Sequence, residues 1–141
     1  MDSKNVAAHR AGHEAFNRRD FDALVKEYAD DIAWTDHARG ITFRTPERFK
    51  DAFLSGWIEA SSDCQVTDAR YAEADGLVIA RFTCRGTNDG PLGSFPATGK
   101  QWSLEMCELW HFDADGSVVG GEIYYDQASL LTQLSLLPAA A

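Results

Sequence analysis

WSLEMCELWHF (residues 102–112), DADG (113–116) and SVVGGEIYY (117–125) form the stretch on which the fold turns. Apolar and polar side chains alternate through the first segment, and alternation with a period of two marks a strand with one buried face. Asp113-Ala114-Asp115-Gly116 reads as a tight reversal, so the two segments pair as a hairpin. With those four residues in the turn, Phe112 faces Ser117, and His111, Cys107, Glu105, Glu122, Tyr124 and Asp126 fall on one face. The other face collects Trp102, Leu104, Met106, Trp110, Phe112, Val119, Ile123 and Tyr125. Acid, base and phenol converging on one sheet face are the ingredients of proton transfer. Glu108 interrupts the apolar set, and a carboxylate there is either paired, with Arg81 or Arg85 on the neighbouring strand as candidates, or placed at an interface edge; pairing is favoured.

Upstream, the signals are helical. Ser3 caps a helix reaching about Arg19, with Val6, His9, His13 and Phe16 along one stripe, and Asp20 caps a shorter one. Ile32–His37 alternates as a strand. Thr45 followed by Pro46 opens a third helix running to about Glu59. Gln65–Glu73 and Leu77–Arg85 flank Ala74-Asp75-Gly76 as a second hairpin, and Asp126 caps a last helix. Helices first and a meander of strands after predict a single α+β domain over residues 1–141, a curved antiparallel sheet wrapped around N-terminal helices. Such a sheet leaves a pocket for a small ligand.

Composition narrows the functions. The net charge is −9 and no basic cluster exceeds Arg18-Arg19, which argues against nucleic acid. No apolar run reaches the length of a membrane span, and the polar N-terminus lacks a signal-peptide core; no membrane partner and a cytoplasmic address are expected. Cys64, Cys84 and Cys107 show no Cys-x-x-Cys spacing and read as buried free thiols. His9 and His13 lie one helical turn apart, a spacing that could hold a metal, yet spacing identifies no third ligand. No metal and no cofactor are expected.

Gly93-Ser94-Phe95-Pro96-Ala97-Thr98-Gly99-Lys100 before the long strand, Asp115-Gly116, and Asp126 before Leu130-Leu131-Thr132-Gln133-Leu134 resemble the SnoaL-like polyketide cyclases of the NTF2-like superfamily. Asn17–Leu24 and Tyr28-Ala29-Asp30-Asp31 resemble the usual opening of that superfamily. The resemblance implies a cone-shaped α+β fold and a histidine and an aspartate on the last two strands as acid and base. His111 and Asp126 match best, with Glu108 and Glu122 as the alternative pair, and Asn88 stands where a loop histidine is expected. Tyr124, Glu122, Trp34, Asp36 and Phe16 are the expected substrate-binding residues.

The function that follows is cofactor-free acid/base chemistry on a hydrophobic carbonyl compound, closing a ring by intramolecular aldol addition. Isomerisation or dehydration, or non-catalytic binding of a small apolar ligand, are the alternatives. If helices cover the face with His111 and Asp126, the apolar face needs a second copy, and a sheet-to-sheet homodimer is expected. The reverse assignment, with the apolar face as core, is the rival reading.

Overall fold

The computed structural model describes residues 1–138. Ser3 accepts a hydrogen bond from the Val6 N–H and starts α1, Lys4–Asn17. Asp20 does the same for α2, Phe21–Leu24, through the Ala23 N–H. The strands are β1 (Tyr28–Asp36), β2 (Ile41–Phe43), β3 (Gln65–Ala74), β4 (Leu77–Thr87), β5 (Gln101–Phe112) and β6 (Val118–Tyr124). They form one sheet in the order β2-β1-β6-β5-β4-β3, antiparallel except where β1 meets β6. The three-residue β2 was not expected; it is too short to carry a periodic signal and follows a turn closed by Gly40 at φ +69°.

Between β2 and β3, Thr45 caps Pro46–Arg48 (α3), which runs on through a π-helical stretch, Phe49–Leu54, into Ser55–Ala60 (α4). A regular helix was expected here. The wider π turn sets Phe49 and Phe53 in a stack, ring centres 5.1 Å apart, both facing the sheet. Asp126 caps α5, Gln127–Gln133, which packs on β5.

The hairpin register differs from expectation by two residues. Asp113 Oδ1 accepts from the N–H groups of Asp115 and Ser117, and Asp113 pairs with Ser117, leaving only three residues in the loop. A bulge between His111 and Phe112 supplies the second step, so Phe112 lies opposite Val118 but His111 opposite Gly120. A slip of two keeps His111, Cys107, Glu105, Glu122 and Tyr124 on their common face. The bulge exchanges only the valines: Val118 is buried and Val119 exposed.

The expected orientation of the sheet is reversed. Trp102, Leu104, Met106, Trp110 and Phe112 point into the concave side and are covered by the chain's own helices, together with Val78, Phe82, Trp34 and Ile123. Turning the sheet over would expose those large side chains at about 1.5–3 kcal/mol each. Burial of one paired carboxylate, Glu108, does not outweigh that sum. The covered face also removes the reason for expecting a sheet-to-sheet homodimer.

Helix α1 crosses β3 and β4, anchored where the Asn17 amide pairs with the backbone of Val66 in both directions. Its contact with β5 depends on Gly12, since a Cβ there would lie 2.5 Å from Cη2 of Trp110. Gly12→Ala gains up to about 1 kcal/mol in helix propensity, but overpacking of this kind costs roughly 1–3 kcal/mol. A net loss of stability in urea unfolding is expected; an unchanged or raised midpoint contradicts this packing.

Candidate active site

Helical spacing places His9 and His13 on the same side of α1, and strand alternation turns Glu108 inward to meet them. The Nε2–H groups of both imidazoles donate to a single oxygen, Glu108 Oε1, at 2.7 Å from His9 and 2.9 Å from His13. At its other nitrogen His13 meets the Tyr71 hydroxyl at 2.6 Å. His9 stacks on Trp110 with ring centres 4.2 Å apart and has no exposed surface. The expected partners Arg81 and Arg85 stand opposite Cys107 and Ser103 and so project from the other side of the sheet.

Burial works against ionisation of Glu108, yet the charge of His13 and the hydrogen bonds from both imidazoles prevail and hold its pKa at about 2. His9 goes the other way. Its burial, opposed by Glu108, lowers the pKa to about 4 and keeps the ring neutral near pH 7. Its proton then resides on Nε2 and its buried Nδ1 has no partner.

Glu108 Oε2 has no hydrogen-bond partner among the described residues, and the carboxylate lies on the wall of a cavity of about 40 Å³. His13, Phe16, Tyr28, Phe49 and Trp110 are among the groups around it. Two of these carry donors without acceptors: the buried Tyr28 hydroxyl and Trp110 indole N–H donate to no acceptor among the described residues. Burial first and the Glu108 charge second push the Tyr28 pKa up, so the phenol keeps its proton. Orphaned donors in a buried cavity ask for an acceptor from outside the chain. A carboxylate and two donors around apolar walls are groups that can take up a proton and hydrogen-bond an oxygen of a small ligand.

His9, His13 and Glu108 also offer metal-ligand atoms within 4.8 Å of one another. Their donor types suit a divalent transition cation, but the arrangement does not fit one well. Ligation through Nε2 moves the His9 proton to Nδ1, where no acceptor supports it, whereas ligating imidazoles are held by such an acceptor. The three groups are instead joined by the two hydrogen bonds that meet at Glu108 Oε1.

The residues expected from sequence are distributed differently. His111 is on the convex face with its side chain 43% exposed, and donates to Glu122 Oε2 at 2.8 Å. Glu122 Oε1 receives His37 Nε2 at 3.0 Å and the Tyr124 hydroxyl at 3.2 Å, and the Tyr124 ring stacks on His37. Asp126 is exposed and caps α5 through the Ser129 N–H. His111, Glu122, Tyr124 and Asp126 therefore do not converge in the cone; the apolar face claimed it. Trp34 is core under Phe49 and Phe53. Asp36 is buried beneath Arg39, outside the cavity wall. Phe16 lines the cavity. Asn88 is structural: its amide holds Ala60, Gly90 and Thr98 around the glycine- and proline-rich loop. All three cysteines are free, and Cys107 is only half-buried.

A model of the SnoaL-like domain matches residues 9–120, from His9 past Glu108. The chain belongs to the SnoaL-like domain family. Its fold recurs in AclR, a proposed hydroxylase from Streptomyces galilaeus, at 23% identity and TM-score 0.83 over 98% of this chain and 85% of that one. It recurs in a proposed polyketide cyclase from Xanthomonas campestris, at 24% identity and TM-score 0.81 over 92% and 96% of the two chains. A protein with a ketosteroid isomerase-like fold from Catenulispora acidiphila, in complex with trimethylamine, superimposes at 20% identity and TM-score 0.78 over 97% and 96% of the two chains. At these identities the likeness shows the NTF2-like fold alone. No curated protein matches the chain. Among the described residues no helix is long and apolar enough to cross a membrane.

The site makes this SnoaL-like domain acid-labile. His9 binds its proton at about 6.5 when unfolded and about 4 when folded, so the unfolded state takes up more protons between those values and stability falls as pH falls through that window. Glu108, lowered from 4.5 to about 2, extends the loss below pH 4.5. The urea midpoint should drop between pH 7 and 4, by the equivalent of a few kcal/mol at most, and His9→Gln should flatten the upper part of that slope. A wild-type midpoint that is level from pH 7 to 4 contradicts a buried neutral His9.

Proposed function

We propose that this SnoaL-like domain is an acid/base enzyme acting on a small apolar carbonyl compound, with Glu108 as the proton carrier. The observation that carries the reading is Glu108 Oε2, unpartnered at an apolar cavity wall while Oε1 is anchored by two imidazoles. A carbon-bound proton beside the carbonyl passes to Oε2. The enolate oxygen accepts a hydrogen bond from the Tyr28 hydroxyl, with the Trp110 N–H as a second donor near the same cavity. The enolate carbon adds to a second carbonyl of the same molecule, and the resulting alkoxide recovers the proton from Glu108. Confinement between aromatic walls supplies the near-attack geometry that intramolecular aldol closure needs.

The strength of the base selects the substrate. A carboxyl held at about 2 is ionised throughout the neutral range but is a weak acceptor, and each unit of pKa mismatch with the substrate costs about 1.4 kcal/mol. Only a carbon acid made unusually acidic, such as a β-dicarbonyl, lies within reach. Chains of alternating carbonyls, the polyketide-like class, have that property, and the proposed polyketide cyclases among the structural neighbours support the choice.

Exchange of the acidic carbon-bound protons of benzoylacetone in heavy water, followed by NMR, tests this. Wild type should exceed the buffer rate, Glu108→Gln should lose the acceleration at least about a hundredfold, and Tyr28→Phe should lose about tenfold or more. His111→Gln and Asp126→Asn should retain it. Acceleration that survives Glu108→Gln, or that disappears with His111→Gln and Asp126→Asn, refutes the assignment.

A further inference from the structure

We infer that the substrate of this site carries a free carboxylate, read by Arg39 at the mouth of the cone; the inference rests on the carbonyl chemistry proposed above. The inner cavity, about 40 Å³, is too small to hold a cyclisable molecule. A second hollow of about 210 Å³ lies beside it, and Phe53 and Trp57 line both. These two rings are the partition, and Phe53 belongs to the π-helical stretch, the irregular turn of that helix. A ligand reaching Glu108 through this side must leave part of itself in the outer hollow, where Arg39, Glu59, Tyr125 and Gln127 supply the polar groups.

Arg39 is built into place. Asp36, with no exposed surface, accepts from the backbone N–H groups of Ala38 and Arg39 on Oδ1. Its Oδ2 accepts from Arg39 Nε at 2.8 Å and from the Tyr125 hydroxyl at 2.9 Å. The guanidinium is thus oriented through Nε with the Tyr125 hydroxyl close by, while neither terminal nitrogen meets a carboxylate among the described residues. The Arg39 side chain is 40% exposed, so water meets the forked edge of the guanidinium until a ligand replaces it. A fork held in place by a fully committed buried carboxylate beside a hollow is an arrangement that can read a planar anion by two parallel hydrogen bonds. Trp57 stands edge-on to Tyr125, ring centres 5.4 Å apart, so the apolar part of the ligand passes next to the same group of residues. Glu59 in the hollow and the net charge of −9 disfavour any further negative group. One carboxylate on an otherwise apolar carbonyl compound is the class that fits.

Naphthylacetate and its methyl ester, titrated against the intact protein by calorimetry, test the inference without turnover. The acid should bind wild type and Glu108→Gln about tenfold or more tightly than the ester. Arg39→Met combined with Asp36→Asn, which leaves no unpaired buried charge, should erase the preference. Should that variant fail to fold, Arg39→Lys decides: it keeps a charge against Asp36, loses the fork, and should weaken the preference several-fold. Equal binding of acid and ester, no binding of the acid, or a preference untouched by the Arg39 variants overturns the inference. Proton exchange of benzoylacetone reads Glu108 and not Arg39, so the two proposals fail separately.

Discussion

One carboxylate between two imidazoles ties the helical layer to the sheet. Glu108 is 7% exposed, and a charge so placed is tolerated only because His9 and His13 both donate to it. Removal of one partner from a buried pair costs about 3–5 kcal/mol, which makes the register of α1 against β5 a matter of electrostatics as much as of packing. Gly12, between the histidines, brings the helix backbone onto Trp110 so that the imidazoles reach. The same contact that closes the fold leaves Glu108, a residue of the cavity wall, with one carboxylate oxygen that has no hydrogen-bond partner among the described residues.

From that constraint the division of the sheet follows. The concave face takes nearly all the large apolar side chains and one charge; the convex face keeps a solvated cluster in which Glu122 joins His37 and His111. Both clusters contain a glutamate and two histidines. They differ in environment: within the cone the groups are desolvated and face orphaned donors, while on the convex side water competes for every contact. The mouth of the cone adds a second fixed charge, Arg39 over Asp36, separated from the first by Phe53 and Trp57. A small molecule with a carbonyl at one end and a carboxylate at the other matches this polarity.

Most of the fold was legible in the sequence because each element carried its own local signal. Ser3, Asp20, Thr45 and Asp126 all cap the helices expected of them. The faces of the long hairpin were also legible, since a two-residue slip leaves alternation intact. What strand alternation cannot say is which face the helices cover, and the site depended on that choice. Burial of Trp102, Leu104, Met106, Trp110 and Phe112 on one side outweighs any gain from enclosing His111 and Asp126 on the other. The components of the candidate site in the cone were visible separately: His9 and His13 at a helical spacing, and Glu108 as the one charge in an apolar strand face. Joining them required knowing that α1 lies over that face, a long-range packing relation with no short motif. The π turn at Phe49–Leu54 and the Asp36–Arg39 support were not legible for the same reason.

The most direct test of the central claim is a crystal structure with a naphthol, whose phenolic oxygen imitates an enolate. The ring should occupy the cone with Phe53 and Trp57 displaced, and its oxygen should lie within hydrogen-bond distance of the Tyr28 hydroxyl and next to Glu108 Oε2. A naphthol bound on the convex face against His111 and Glu122, with the cone unchanged, would contradict the account.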